Sequence, residues 1–304
     1  MKNKNLIYVA GPTGIGKTKL AIELAKKFNT EIVSCDSRQF YKELKIGTCP
    51  PSFDDLNDIK HHFIHNKSIK DTYSVGDYEK EAIDLISEIF KIKDTLILVG
   101  GSGLYADSIL FGIDEFPNIS KEIKEKIQFD LENSGLDYIL EELRILDPEY
   151  YNKVDKNNVV RVTRALEVIK QTNFKFSSLR TNKKKEREFK SHILILESSR
   201  DDLYFKINTR VDKMLENGLE KEAYQLMDYK KLNTLNTVGY KEFFKYFDGE
   251  LSYNDTISKI KQNTRNYAKR QITWLKKYKN AIRINSNSNA NSIISKISNT
   301  HEKF

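Results

Sequence analysis

Only two of the 304 residues are cysteines, Cys35 and Cys49, and they form neither a C-x-x-C pair nor a metal-ligand set with the five histidines. A disulfide framework and a zinc centre are therefore not expected, and two reduced thiols in a cytoplasmic protein are. Long apolar runs are also missing. No stretch approaches the ~20 residues of a membrane helix, and the N-terminal MKNKNLIYVAGP carries an apolar run of Leu6 to Ala10 only, too short for a signal peptide. There is no internal repeat. Acidic residues vanish between Asp255 and Glu302. A soluble, cytoplasmic monomer without membrane contact is the expectation.

What is present is a chain that is 39% hydrophobic, enough to bury a core in one large or two smaller domains. Its formal net charge of +8 favours a polyanionic partner without specifying one. Leu6 to Ala10 reads as a buried parallel strand, Lys19 to Phe28 as a helix, Glu31 to Cys35 as a second strand, Asp77 to Phe90 as an amphipathic helix and Thr95 to Val99 as a third strand. The predicted class is α/β, a parallel sheet flanked by helices as in P-loop proteins, with a mostly helical insertion. From about Asn118 to Lys190 strand signals cease, Ile119 to Asn133 and Leu136 to Leu146 read as helical runs, and TNKKKEREFK (Thr181 to Lys190) reads as an exposed linker before the strand Ile193 to Leu196. Leu203 to Leu226 and Thr256 to Tyr278 return to helical spacing. The expected organisation is a core of residues 1–117 and 191–284, an insertion at 118–190, and a flexible tail at 285–304.

The segment Gly11-Pro12-Thr13-Gly14-Ile15-Gly16-Lys17-Thr18 fits G-x-x-x-x-G-K-[ST] between a strand and a helix. Its glycines let consecutive N–H groups point inward at a helix N-terminus, Lys17 brings a point charge, and the Thr18 hydroxyl suits Mg²⁺. The motif selects polyphosphate but not what carries it. A Walker B strand ending in Asp is missing: Leu96 to Val99 runs into Gly100. The strand-end carboxylate in this reading is Asp36, eighteen residues past Thr18, which suits a substrate-facing base. A kinase of a nucleoside or small metabolite, and an RNA-binding NTPase or chaperone, both stay open on these residues.

From Asp36-Ser37-Arg38-Gln39-Phe40-Tyr41 onward the chain resembles the tRNA dimethylallyltransferases. DSRQFY follows a loop of the form GPT-x-x-GKT. Ile46-Gly47-Thr48 is similar to that family's IGTAKP, His61 to Ile64 to its HHLID, Tyr73 to Tyr78 to YSVADF, and Val99 to Tyr105 (VGGSGLY) to VGGTGLY. Arg161 to Val168 is similar to QRIQRALEV from its Arg onward. Arg210-Val211-Asp212 to Gly218-Leu219, Gly239 to Glu242, and Thr264 to Trp274 resemble its C-terminal blocks. Departures are Pro50 for a family lysine, Ser102 for threonine, Val160 for glutamine, and GPTGIGKT for the commoner GPTASGKT.

The resemblance implies transfer of a dimethylallyl group from its diphosphate to N6 of adenosine 37 of tRNA, with Mg²⁺ as cofactor. It implies a diphosphate seat at Gly11 to Thr18, with Mg²⁺ near Thr18, and we add Arg200 as a phosphate clamp that could equally pair with Asp201 or Asp202. Asp36 would take the amine proton, its alternative being a turn or N-cap Asp. Ser102 would hydrogen-bond the bridging oxygen or the base, or else be a turn residue. The base must leave the anticodon-loop stack. Asp36, Ser37, Arg38, Gln39 and Ser102 should meet it or its neighbours. Lys124, Val160, Arg161, Val162, Thr163 and Arg164 should grip the anticodon stem-loop, unless Arg161 and Arg164 merely pair with residues such as Glu167. The acid-free C-terminal helix, through Arg265 and Lys269, reads as a phosphate-backbone contact, against solvated surface. Ile257, Ile260, Tyr267, Trp274 and Tyr278 read as its core face. His61 and His62 read as structural.

Overall fold

The computed structural model describes residues 4–181, 183–286, 288 and 293. Six strands form one parallel sheet: β1 (Asn5–Ala10), β2 (Ile32–Ser34), β3 (His61–His62), β4 (Thr95–Val99), β5 (Lys190–Glu197) and β6 (Ile282–Asn285), in the order β3-β2-β4-β1-β5-β6. The helices around it are α1 (Lys17–Phe28), α2 (Phe53–Asp58), α3 (Val75–Phe90) and α4 (Gly103–Phe111). The insertion holds α5 (Lys121–Leu146), α6 (Pro148–Lys153), α7 (Val159–Thr172) and α8 (Phe176–Leu179). After β5 come α9 (Arg200–Glu216), α10 (Leu219–Gln225), α11 (Tyr240–Phe247) and α12 (Tyr253–Leu275).

The central strands are continuous apolar runs because helices cover both faces. Ile7, Val9, Ile97, Leu194 and Leu196 pack with Leu20, Leu24, Ile207 and Ala268 on one side. The rings of Phe40, Tyr78, Tyr105 and Phe63 form a second cluster, with Phe40 and Tyr78 stacked at 5.3 Å. Capping is local and legible: Ser74 accepts from the Asp77 N–H while the Asp77 carboxylate returns to the Ser74 N–H, which starts α3. From β1 the chain moves to β2 on one side of the sheet, and from β4 it moves to β5 on the other. The switch point therefore falls between β1 and β4, where open α/β sheets place ligands.

Three elements differ from expectation. The two edge strands, β3 and β6, were unpredicted: two and four residues carry too little pattern to read. Leu203 to Leu226 breaks into α9 and α10 at Gly218, whose φ of 94° only glycine adopts easily. Asp36 is also not alone as a strand-end carboxylate, since Glu197 closes β5, where it pairs with Arg283 of β6.

The chain divides into two compact units, 1–110 with 187–304, and 111–186. The insertion begins earlier and ends earlier than 118–190. Lys185 N donates to Phe111 O at 2.7 Å, and Lys185 Nζ pairs with Glu115, so residues 111–117 belong with the insertion. Arg187 belongs with the core: it pairs with buried Glu79 at 2.7 Å and donates to the carbonyls of Ser108 and Ile109. The "exposed linker" therefore contains an anchored arginine. The insertion has its own core of Ile127, Ile139, Leu143, Val162, Ala165 and Leu166. Its helix α5 breaks at Gly135 (φ 82°, ψ 176°), between the two helical runs expected there. The predicted tail, 285–304, lies outside the described residues apart from positions 285, 286, 288 and 293.

Candidate active site

Three loops at the carboxyl ends of adjacent strands converge. The loop after β1 turns at Gly14 (φ 81°) and Gly16 (φ 103°), left-handed conformations that seat the N-terminus of α1 with its first-turn N–H groups uncapped by any side chain. Lys17 curls back so that Nζ donates to Pro12 O at 2.9 Å. The loop after β4 begins at Gly100, where a Cβ would stand 2.6 Å from Cys35 Sγ. Glycine there lets this loop lie directly on the one after β2. That third loop carries Asp36 and Ser37. The Asp36 carboxylate accepts from Arg38 N at 3.1 Å, and Ser102 Oγ accepts from Ser37 N at 3.0 Å.

Two chambers, each of about 280 Å³, open here. One is polar, lined by Thr13, Gly14, Gly16, Lys17, Thr18, Asp36, Gln39, Arg210 and Gln271 among others. The other is aromatic, lined by Tyr8, Tyr105, Tyr267 and Trp274 with Ser37, Ser102, Arg270 and Gln271. Gln271 lines both, and the consecutive residues Asp36 and Ser37 contribute one side chain to each. Thus Lys17, Thr18 and Asp36 are brought together in one chamber, and Ser37 and Ser102 in its neighbour.

Burial pulls the Lys17 ammonium down to about 8, with nearby Arg210 adding to the effect and Asp36 opposing it. A cation near pH 8 has a consequence for anion binding. Below that pH Lys17 is charged; above it the proton leaves and the attraction for phosphate goes with it. The affinity of the free protein for inorganic diphosphate should fall as pH rises through about 8, by up to about tenfold per pH unit. Calorimetric titration from pH 6.5 to 9.5, with Lys17→Met run alongside to subtract the protonation of diphosphate itself, checks this. Tyr267 is pushed up to about 12, mainly by burial and then by Asp36, so it remains a hydroxyl donor beside Ser102.

Other expected residues lie elsewhere. Arg200 opens α9, is exposed, and stacks over Tyr204 at 5.1 Å from the ring centre. It lines neither chamber. Arg210, more than two turns along the same helix, lines the polar chamber. Its Nη2 donates to Thr48 O at 3.2 Å, while its buried Nε has no protein partner in the described structure. Arg38 donates to Thr234 O, and Gln39 to the carbonyls of Thr48 and Cys49, so these two hold loops together. In the insertion, Lys124, Val160 and Arg161 are exposed. Val162 is fully buried in the insertion's core, which closes its side chain to any partner, and Thr163 Oγ1 is turned back to Val159 O. Arg164 pairs with Glu167 at 3.1 Å. On α12, Lys269 is exposed, Lys261 pairs with Asp212, and Arg265 donates to Asn208 and stacks on Tyr204. Tyr267 and Trp274, read as core, instead line the aromatic chamber. His61 also lines the polar chamber, on the short edge strand β3.

Behind Arg210 stands a buried clamp. The Glu222 carboxylate accepts from the backbone N–H groups of Lys45, Ile46 and Gly47 and from the Tyr240 hydroxyl at 2.6 Å. This fixes the loop whose Thr48 and Cys49 carbonyls orient Arg210 and Gln39. Glu222→Ala strands these donors, at about 1–3 kcal/mol for each one left without water. A loss of about 3 kcal/mol in chemical denaturation is expected, whereas Tyr240→Phe should lose about 1 kcal/mol.

Residues 39–278 match the family model described as IPP transferase. The chain belongs to the IPP transferase family. This transferase is 48% identical over 297 residues to a tRNA dimethylallyltransferase of Flavobacterium johnsoniae, covering 96% of each chain. It is 50% identical over 272 residues to one from Christiangramia forsetii, covering 90% of each. Among solved structures, a full-length tRNA isopentenylpyrophosphate transferase from Bacillus halodurans aligns with a TM-score of 0.70 at 32% identity, over 99% of this chain and 96% of that one. A eukaryotic dimethylallyltransferase whose structure is described as acting on tRNA aligns at 0.82 and 29% identity, over 99% and 80%. Among the described residues of this transferase, no helix is long and apolar enough to cross a membrane.

Proposed function

We propose that this enzyme transfers a dimethylallyl group from dimethylallyl diphosphate to N6 of adenosine 37 in tRNA, releasing diphosphate. The observation that carries the reading is the pair of adjoining chambers, one built for phosphate and one for a planar ring, with Asp36 and Ser37 at their boundary. The diphosphate sits on the amides of Gly11 to Thr18, with Lys17 and Arg210 as cations. The flipped adenine lies among Tyr105, Tyr267 and Trp274, oriented by Ser37 and Ser102. The N6 lone pair attacks C1 of the donor. The C1–O bond breaks, its electrons leave with diphosphate, and the N6 proton passes to Asp36.

The described residues contain no cluster of three or more His, Cys, Asp or Glu fit to hold a metal. A Mg²⁺ ion would accordingly be held by diphosphate oxygens and the Thr18 hydroxyl, where it neutralises leaving-group charge. One chain supplies both chambers, so a monomer suffices, and the tRNA substrate puts the reaction in the cytoplasm.

The test is incubation with unmodified tRNA, radiolabelled dimethylallyl diphosphate and Mg²⁺. Label in tRNA is expected; phosphate release from ATP without label would replace this reading with the kinase one. Arg161 and Lys269, exposed and without an ion pair among the described residues, are assigned to phosphate contacts on the stem. Arg161→Ala and Lys269→Ala should each weaken tRNA binding and lower the slope of log affinity against log salt by about 0.7–0.9. Unchanged slopes would return both to solvated surface.

A further inference from the structure

Gln271 is 7% exposed and makes two hydrogen bonds from one amide. Its Oε1 accepts from Thr13 N at 2.8 Å, and its Nε2 donates to Gly101 O at 2.9 Å. The first partner belongs to the phosphate loop, the second to the glycine loop that carries Ser102. The side chain lines both chambers, forming part of the wall between them. The fit is close: a Cβ on Gly101 would stand 2.2 Å from Nε2, so glycine is needed for the amide to reach both loops. Gln271 also rides on α12, the helix that brings Tyr267, Arg270 and Trp274 to the aromatic chamber and presents Lys269 outside.

We propose that Gln271 is a positioning residue that couples the two substrate sites, so that acceptor bound on the α12 side tightens donor binding. The coupling rests on the assignment of the polar chamber to diphosphate and the aromatic one to the base. A nucleic acid that fixes α12 fixes the amide. The amide fixes Thr13 and with it the loop whose N–H groups receive diphosphate. Donor then binds a loop already ordered, and less entropy is lost on binding. Linkage makes the effect reciprocal: donor raises tRNA affinity by the same factor.

The experiment measures binding of inorganic diphosphate with Mg²⁺ to the full chain, by calorimetry, with and without saturating unmodified tRNA. In the wild type tRNA should tighten diphosphate by about fivefold or more, the lower end of ordinary couplings. Gln271→Met keeps the length of the side chain and loses both hydrogen bonds; its ratio should fall below about twofold. Gly101→Ala, which displaces the amide from the opposite side, should do the same. A merely structural role would weaken both ligands and leave the ratio intact, and that result overturns the inference. A wild-type ratio of one overturns it as well. Failure of the wild type to bind diphosphate at all would instead remove the assignment of the polar chamber, and the coupling with it. Should one variant not fold, the other carries the comparison.

Discussion

Asp36→Ala should lower transfer to tRNA by about 10²–10⁴-fold, the usual contribution of a positioned general base, with tRNA affinity changed by less than about twofold. The adenine amine is a weak nucleophile, and the proton it sheds needs an acceptor on the donor side of the boundary. Asp36 lines the polar chamber with Lys17 and Thr18, and one of its oxygens is already oriented by the Arg38 N–H. Single-turnover measurement separates chemistry from binding, and tRNA affinity by filter binding gives the second number. Asp36→Asn, which keeps the shape and the turn, should be almost as impaired as alanine. Near-normal turnover in Asp36→Asn would move the base elsewhere.

The second large effect contrasts two arginines on one helix. Arg210→Ala should reduce turnover by about 10²–10³-fold, the range seen when a donor aimed at developing negative charge is removed. Arg200→Ala should change it by less than about threefold, because the exposed guanidinium stacks on Tyr204 and stands outside both chambers. Arg210→Lys should recover little, since the lysine cannot hold Thr48 O and a phosphate oxygen together in one planar fork. Steady-state kinetics in donor concentration decide between them. A larger loss in Arg200→Ala than in Arg210→Ala would restore the phosphate clamp read from the sequence.

That contrast shows where sequence reading succeeds and where it stops. The phosphate loop is legible because its parts are consecutive: Gly11 to Thr18 carry their chemistry in one stretch between strand and helix. Asp36 is legible for a similar reason, sitting just past a recognisable strand. Arg210 and Gln271 are not. Each is one polar residue on an ordinary amphipathic helix, and only tertiary packing brings it to Thr48, or to Thr13 and Gly101. Arg200 drew attention by lying just past β5, but it opens α9 outside both chambers. Tyr267 and Trp274 mislead in the opposite way. Their spacing is that of a buried face, and these two of its five residues close on a chamber instead of a core. Edge strands β3 and β6 escape because pairing with a neighbour, rather than pattern, makes them strands.

The order of the sheet sets how firmly the site is held. The phosphate loop, the Asp36 loop and the Gly100 loop leave β1, β2 and β4, three neighbouring strands near the middle of the sheet, and Cys35 N extends the ladder to Val99 O at 2.8 Å. Backbone amides in such strands exchange with solvent deuterium only through the largest openings of a fold. The loops that carry Asp36 and Ser102 should therefore share the slow exchange of those strands. Arg210 and Gln271 ride instead on α9 and α12, so an opening of either helix would take part of the chamber lining with it.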